Sequence, residues 1–278
     1  MGQGHFGPKV FCAVSHGLYS PWLEIAELGQ VQSWLDLATP ENFHIQHFHG
    51  TPVGRIGQRF DKIHERIRWT NRWVAFPQRF LNNLILWPLR NYIPRIVNSN
   101  LTKVFNSKHI IFPDIYLAFK WKDLAIFEYF LHSTEDDFLY MTTSSSYLRP
   151  SKLLELLKTL PTTNLYAGAI PYEGANFAAG NNRLFSRDVV EIIVQNRAKW
   201  RPGVIEDMAI GNLCAALGII VRSLPRMNID SLERLDTLSN SELAEYYHFR
   251  LKSGTAEKRN DVEIMLELHK RILQIEEA

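Results

Sequence analysis

The sequence predicts an α/β protein in which a mostly parallel sheet is flanked by helices. Short apolar segments typical of strands alternate with segments of helical periodicity along most of its 278 residues. The first such pair is a strand at Val10 to Ser15, which ends in His16-Gly17, and a helix from about Trp22 to Ala38. Proteins of this class bind ligands at the carboxyl ends of their strands, so residues that follow strands are the first candidates for a site.

The remaining elements follow in the same alternating order. Further strands are predicted at Phe43 to Phe48, His109 to Phe112, Phe138 to Thr142 and Leu165 to Ile170. Further helices are predicted at Ile115 to Leu131, Ser151 to Leu160, Ser186 to Asn196, Ile205 to Leu217, Ser241 to Tyr247 and Asp261 to Glu276. We therefore expect a single domain over residues 1–278, with a helical tail at about 240–278.

Composition limits the classes of protein and the compartment. Apolar residues make up 46% of the chain, and a formal net charge of +2 gives no whole-protein argument for binding nucleic acid or a membrane. Cys12 and Cys214 lie in apolar runs without CxxC spacing, which predicts buried thiols in a reducing compartment. With no apolar run typical of a signal peptide or a membrane-spanning helix, we expect a cytoplasmic protein.

One segment departs strongly from this balance of charge. The segment between Arg55 and Ile96 contains nine Lys or Arg residues but only two acidic residues, Asp61 and Glu65. Aromatic residues are interleaved with the basic ones. Three prolines break the segment, so we predict a basic, aromatic helical insertion at about 55–97. Three interpretations stay open: docking to an anionic membrane surface, contacts within the core or a dimer, and stacking of the rings on sugars.

Three segments in a fixed order carry a resemblance to a known family. They are Leu117–Lys120 with Asp137–Tyr147, then Phe177–Asp188, and finally Val204–Gly211. Together they resemble the fringe and beta-1,3-galactosyltransferase-like group of GT-A glycosyltransferases, over about 40% of the chain. The resemblance implies a GT-A, Rossmann-like fold and inverting transfer of a hexose from a UDP-sugar to a saccharide hydroxyl. It further implies a role in cell-surface glycan assembly, such as lipopolysaccharide, capsule or O-antigen.

The resemblance also assigns the catalytic carboxylates. Asp207 corresponds to the base that accepts the proton of the acceptor hydroxyl, and Glu206 corresponds to the residue that orients or supports it. Carboxylates are also favourable in the first turn of a helix, so a purely structural role for this pair is the alternative.

The family's metal-binding acidic triplet is replaced by serines. Family members carry a DxD-type triplet after the strand, where this chain has Ser144, Ser145 and Ser146. Aspartates hold Mg²⁺ or Mn²⁺ against the diphosphate, whereas serine hydroxyls donate hydrogen bonds to phosphate and make poor ligands for a hard cation. We therefore expect no cofactor and no metal at this triplet, and charge compensation by Lys or Arg side chains.

The expected donor-binding residues come from this resemblance and from the strand ends. They are Ser15, His16, Lys120, Ser144, Ser145, Ser146, Gly180, Asn181, Arg183, His248, Arg250 and Lys252. Asp114 and Arg187 are further candidates. The acidic run Glu135-Asp136-Asp137 precedes its strand, so we assign it to a solvated turn at the opposite end of the sheet.

The expected partners are a nucleotide sugar and a saccharide or lipid-linked saccharide acceptor, with contact at the inner face of the membrane through residues 55–97. Loss of the DxD triplet favours an alternative, a glycosyltransferase-like binding or scaffold protein without catalysis. A nucleic-acid-binding protein that uses the basic aromatic segment is a weaker alternative.

Overall fold

The computed structural model describes residues 7–35, 37, 39–54, 57, 59, 84, 86–99, 106–115, 118–201, 205–254 and 259–277. These residues form a mixed α/β fold in which helices flank an eight-stranded, mostly parallel central sheet. The predicted fold class is therefore confirmed. Most of the basic, aromatic segment at 55–97, including Trp69 and Trp73, lies outside the described residues.

The elements are numbered in chain order. The described strands are β1 (Val10–Ser15), β2 (Phe43–Thr51), β3 (Ile96–Ser99), β4 (Ser107–Pro113), β5 (Phe138–Thr143), β6 (Ser146–Leu148), β7 (Tyr166–Gly168), β8 (Arg183–Ser186), β9 (Val221–Ser223), β10 (Met227–Asn228) and β11 (His248–Arg250). The described helices are α1 (Trp22–Glu24), α2 (Phe119–Ser133), α3 (Pro150–Leu157), α4 (Arg187–Gln195), α5 (Glu206–Ala216), α6 (Leu232–Asp236), α7 (Asn240–Glu245) and α8 (Asp261–Glu277). A π-helical stretch, Ile25–Gln30, continues α1.

The large sheet has the strand order β3-β4-β2-β1-β5-β8-β7-β9. Its centre, β4 to β5, is parallel, whereas β8 runs antiparallel between β5 and β7. The carboxyl ends of β1 and β5 are level with each other, because Ser15 is the register partner of Thr143. From β1 the chain continues to β2 on one side, while β5 lies on the other, which leaves a crevice of the kind where open α/β sheets bind ligands.

Two apolar layers enclose the central strands. Side chains along β1 alternate between them: Cys12 and Val14 pack in one cluster, and Phe11 and Ala13 in the other. Burial of both faces explains why the strand has a continuous apolar sequence. The prediction of buried, free thiols is confirmed for Cys12 and for Cys214 in α5.

A second, three-stranded sheet has the order β10-β11-β6. In it Arg250 lies opposite Ser146, and a backbone hydrogen bond of 2.8 Å from the Leu251 N–H to the Ser145 carbonyl extends the pairing. The segment at 240–278 therefore differs from the predicted helical tail, because it also contributes β11. Helix α8 packs on the π-helical stretch and places this sheet beside the ends of β1 and β5.

The helix predicted from Trp22 to Ala38 is shorter than expected and changes type at Ile25. Its buried Gln30 side chain donates hydrogen bonds to the carbonyls of Thr143 (3.1 Å) and Ser146 (3.2 Å). These hydrogen bonds attach the segment to the turn after β5. The helical periodicity of the segment's sequence does not predict this contact. Wide π turns are often found next to functional sites.

Candidate active site

An open cleft with a volume of about 800 Å³ lies at the carboxyl ends of β1 and β5. Ser15, His16 and Gly17 line it after β1, and residues 143–145 line it after β5. The other walls come from the first turn of α5, the start of β8 and the end of β11. The strand order places the cleft where the sequence predicts a ligand site.

Ser144 and Ser145 form the turn between β5 and β6 and line the cleft. The Ser145 hydroxyl accepts a hydrogen bond of 2.7 Å from Nη2 of Arg259. Ser146, the third serine of the predicted donor-binding triplet, does not line the cleft. It is fully buried as the first residue of β6, and its carbonyl accepts a hydrogen bond of 2.9 Å from Nε1 of Trp34.

Glu206 and Asp207 lie together in the first turn of α5, and both line the cleft. Asp207 accepts hydrogen bonds from the backbone N–H of Met208 (2.8 Å) and of Gly180 (3.3 Å). Burial, and next the charges of Asp207 and Asp123, raise the pKa of Glu206 to about 7. The pKa of Glu206 therefore lies near neutral pH, which suits a carboxyl group in a site of proton transfer.

The loop before β8 brings Gly180 against these carboxylates. Its turn is closed by a 2.8 Å hydrogen bond from the Asn182 N–H to the Ala179 carbonyl. A Cβ atom at Gly180 would lie 3.4 Å from Oε1 of Glu206 and 3.8 Å from Oδ2 of Asp207. Asn181 also lines the cleft, where its side-chain oxygen accepts a 2.9 Å hydrogen bond from Arg226.

Two buried ion pairs stand in the wall formed by α2. Arg183 donates to Asp123 at 2.7 Å, and Lys122 donates to Asp114 at 2.6 Å. All four side chains line the cleft. Sequence reasoning named Arg183 and Asp114 and missed Lys122 and Asp123. The signal available was the presence of ionisable residues in an otherwise apolar stretch of helix.

Lys120 and His248 lie outside the cleft, so the structure does not bring them together with the other predicted donor-binding residues. The Lys120 ammonium donates hydrogen bonds to three backbone carbonyls, the shortest being 2.7 Å to Trp200. His248 is fully buried, and its Nδ1 lies 2.9 Å from the hydroxyl of Tyr140 and 2.5 Å from Nδ2 of Asn182. Burial, followed by the charge of Arg226, keeps its pKa well below the usual range, so it is neutral.

The opposite end of the sheet is a separate region. Arg187 donates to backbone carbonyls that include those of Asp136 (2.9 Å) and Thr134 (2.9 Å), so it is not near the cleft. Asp137 accepts a 2.9 Å hydrogen bond from the Lys9 N–H, and Asp136 pairs with His44 at 2.7 Å. The assignment of this acidic run to the amino end of β5 is confirmed, but the prediction of a solvated turn is wrong for Asp136, whose side chain is buried.

His16 is buried at the mouth of β1, where Nδ1 lies 3.1 Å from the Gly17 carbonyl. Burial is the main reason that its pKa is lowered to about 4; the hydrogen bond to the Gly17 carbonyl opposes this shift, and the charges of His49 and Lys122 add to it. The ring is therefore neutral at physiological pH, and it packs against the rings of His47 and His49 where it lines the cleft.

Arg250, Lys252 and Arg259 line the cleft beside Ser145. Residues two apart in an extended chain point to the same face, which brings Arg250 and Lys252 together while Leu251 is buried between them. Within the described ranges, no group of three or more His, Cys, Asp or Glu side chains is arranged to hold a metal ion. The absence of a metal at the serine turn stays a prediction.

No protein-family model and no curated protein matches the sequence. Similar solved structures include the glycosyltransferase GlyE of Streptococcus pneumoniae TIGR4, with a TM-score of 0.45 and 12% identity over 97% of this chain and 63% of GlyE. Mouse xyloside xylosyltransferase 1 in its apo form has a TM-score of 0.39 and 9% identity over 87% of this chain and 97% of its own. The chain thus spans less than two thirds of GlyE. Likenesses this distant assign neither a family nor an activity.

No helix in the part of the chain that the structure describes has the length and apolar character needed to cross a membrane.

Proposed function

We propose that the protein is an inverting glycosyltransferase that moves a hexose from a UDP-sugar to a hydroxyl of a saccharide acceptor in cell-surface glycan assembly. The observation that carries this proposal is the pair Glu206 and Asp207, which meets Gly180 in a cleft at the carboxyl ends of β1 and β5. The sequence resemblance adds the reaction type, the donor class and the pathway.

In the proposed reaction Asp207 is the base. It accepts the proton of the acceptor hydroxyl as that oxygen bonds to the anomeric carbon, while the bond from the carbon to the diphosphate breaks. The hydrogen bond from the Gly180 N–H to Oδ2 orients the carboxylate, and the missing side chain at Gly180 leaves room beside it. Glu206 lies beside Asp207 in the first turn of α5, and its protonation state determines the negative charge next to the base.

The nucleotide is placed at the end of β1 in this proposal. Ser15 and the neutral His16 offer hydrogen bonds and a ring face to the base or the ribose, and Asp114 stands on the same wall. This orientation puts the diphosphate towards Ser144 and Ser145. The sugar then lies between the serine turn and the carboxylates of α5.

A panel of UDP-sugars with saccharide acceptors, assayed with and without EDTA, tests the proposal. We expect transfer from at least one donor, and we expect Asp207→Asn to abolish turnover while UDP still binds. The matched control is Asp236→Asn, an exposed aspartate at the end of α6, which should leave turnover unchanged. Absence of transfer and of donor hydrolysis under every condition would refute the proposal.

A glycosyltransferase-like binding protein without catalysis is the second candidate. The serine turn favours it, because Ser144 and Ser145 offer no carboxylate for a metal-bound diphosphate. Such a protein would bind UDP-sugars or saccharides without turnover, and Asp207→Asn would then have no activity to remove.

We also propose contact with an anionic membrane at the inner face, where lipid-linked acceptors are found. Exposed apolar side chains support it: Trp87 is 53% exposed and Tyr92 43%. The guanidinium of Arg90 lies 4.5 Å above the Trp87 ring, so a cation accompanies the aromatic surface. The excess of basic residues between Arg55 and Ile96 adds electrostatic attraction to anionic lipids.

A further inference from the structure

A cluster of basic side chains surrounds the turn where the family resemblance implies a metal site. Arg250 and Lys252 project from the extended segment that pairs with residues 145–148, and Arg259 approaches from the start of α8. All three line the cleft beside Ser145. Among the described residues, Asp207 and Asp261 attract Arg250, whereas Arg259 repels it.

Arg250 has hydrogen-bonding capacity directed at the cleft. Its half-buried guanidinium donates no hydrogen bond to any residue that the structure describes, although a guanidinium carries five N–H donors. Burial, and next the charge of Arg259, lower the pKa of Arg250. A partly desolvated arginine next to a like charge is stabilised by an anion that accepts from both.

Arg259 is held in a fixed position beside the same part of the cleft. Its side chain is 2% exposed, its Nε donates to Asp261 at 3.0 Å, and its guanidinium lies 4.6 Å above the ring of Trp22. Asp261 is itself fixed by the backbone N–H (3.0 Å) and the hydroxyl (2.7 Å) of Ser253. No described residue accepts a hydrogen bond from Nη1 of Arg259. The fork is therefore preorganised while part of it stays available to a ligand.

We infer that Arg250, Lys252, Arg259 and Ser145 bind the diphosphate of the donor directly and replace a divalent cation as its counter-charge. This inference rests on the proposed function for the identity of the donor. As the bond to the anomeric carbon breaks, its electron pair passes to a diphosphate oxygen, and the guanidinium N–H groups stabilise the charge that develops there. Three cations also disfavour a Mg²⁺ or Mn²⁺ ion at the same place through repulsion of like charges.

Isothermal titration calorimetry with UDP and with inorganic pyrophosphate, in EDTA, tests the inference. The wild-type protein should bind both, and Arg250→Gln should weaken both by about 10-fold or more, the usual effect of losing a hydrogen bond to a charged group. Arg222→Gln removes the same charge from an exposed site on β9 and should bind like the wild type. Arg259→Lys keeps the charge but loses the fork, so it should also weaken binding.

Arg259→Gln is avoided because it would leave the buried Asp261 without its partner and could prevent folding. Binding that requires Mn²⁺ or Mg²⁺, or equal affinity of Arg250→Gln and wild type, overturns the inference. Transfer that occurs only with added Mn²⁺ would support the proposed function but contradict the inference that basic side chains replace the cation. Metal-free pyrophosphate binding that Arg250→Gln weakens supports the anion site even if no donor is turned over.

Discussion

Asp123 and Arg183 form an ion pair inside the cleft, with 2.7 Å between Oδ2 and Nη1 and side chains only 6% and 5% exposed. The pair joins α2 to β8 and stands close enough to Glu206 to affect its ionisation, since Asp123 raises the pKa of Glu206 and Arg183 lowers it. Structural stability and the basicity of the candidate site are therefore linked through the same two residues.

Asp123→Asn should destabilise the protein strongly, because it removes the carboxylate that accepts a hydrogen bond from the buried guanidinium of Arg183. We expect the free energy of unfolding to fall by about 3–5 kcal/mol, measured by urea denaturation. The control is Asp236→Asn, which changes an exposed carboxylate. Equal stability of the two variants would show that the ion pair contributes little.

Glu206 should make stability depend on pH near neutrality. Its folded-state pKa of about 7 is higher than the ordinary 4.5, so the folded protein binds the proton more tightly than the unfolded chain. The stabilisation from this group is fully present below pH 4.5 and is lost as the pH rises through about 7. Denaturation of the wild type and of Glu206→Gln across this range should show a difference that changes with pH. Parallel curves would contradict the raised pKa.

Lys120→Met should lower stability and leave the affinity for UDP unchanged. The ammonium bonds to three carbonyls and faces away from the cleft, so its loss leaves buried acceptors unpaired at a cost of about 1–3 kcal/mol. Thermal unfolding and UDP titration on the same sample measure the two effects. A large loss of UDP affinity with normal stability would show that Lys120 takes part in donor binding.

Gly211 and Gly180 should respond differently to alanine. A Cβ atom at Gly211 would lie 2.4 Å from Cβ of Phe177, so the loop before β8 must shift away from α5, at a cost of about 1–3 kcal/mol. At Gly180 the contacts are ordinary van der Waals distances, so Gly180→Ala should fold normally. Its methyl group would fill the space beside Asp207, so transfer should fall. Normal transfer by a folded Gly180→Ala would place the acceptor elsewhere.

The membrane proposal predicts that Trp87→Ser weakens binding to vesicles that contain phosphatidylserine, measured by co-sedimentation. Ile220→Ser is the matched control, because Ile220 is 82% exposed in the loop before β9. Binding should also decrease with added salt, since the attraction to anionic lipids is screened. An equal loss in the two variants, or equal binding to uncharged vesicles, would contradict a specific basic and aromatic docking surface.

The sequence predicted the parallel core well because its strands are buried on both faces and read as continuous apolar runs. The ends of those strands then placed Ser15, His16 and Ser145 at one edge. Short strands such as β11, with three residues, carry too little periodicity to be recognised. Arg259 was not predicted as a site residue for the same reason. It follows β11 in the chain, and it reaches the cleft only because β11 pairs with β6, which is distant in sequence.

The position of Lys120 outside the cleft has a geometric cause. Residues two apart in an α-helix are separated by about 200° around the axis, so Lys120 and Lys122 must face different ways. The motif placed the start of the helix near the donor but did not specify which lysine points inward. Contacts decide it: Lys122 pairs with Asp114 in the cleft, and Lys120 bonds to carbonyls on the other side.

Residues 15–17 form one wall of the cleft, and Arg250, Lys252 and Arg259 form another. During synthesis on the ribosome, the carboxylates of α5 emerge well before the strand β11 and the helix α8. Glu206 and Asp207 can therefore reach the sheet before the basic side of the cleft has formed. The two sides face each other only after β11 and the start of α8 have packed beside the first turn of α5.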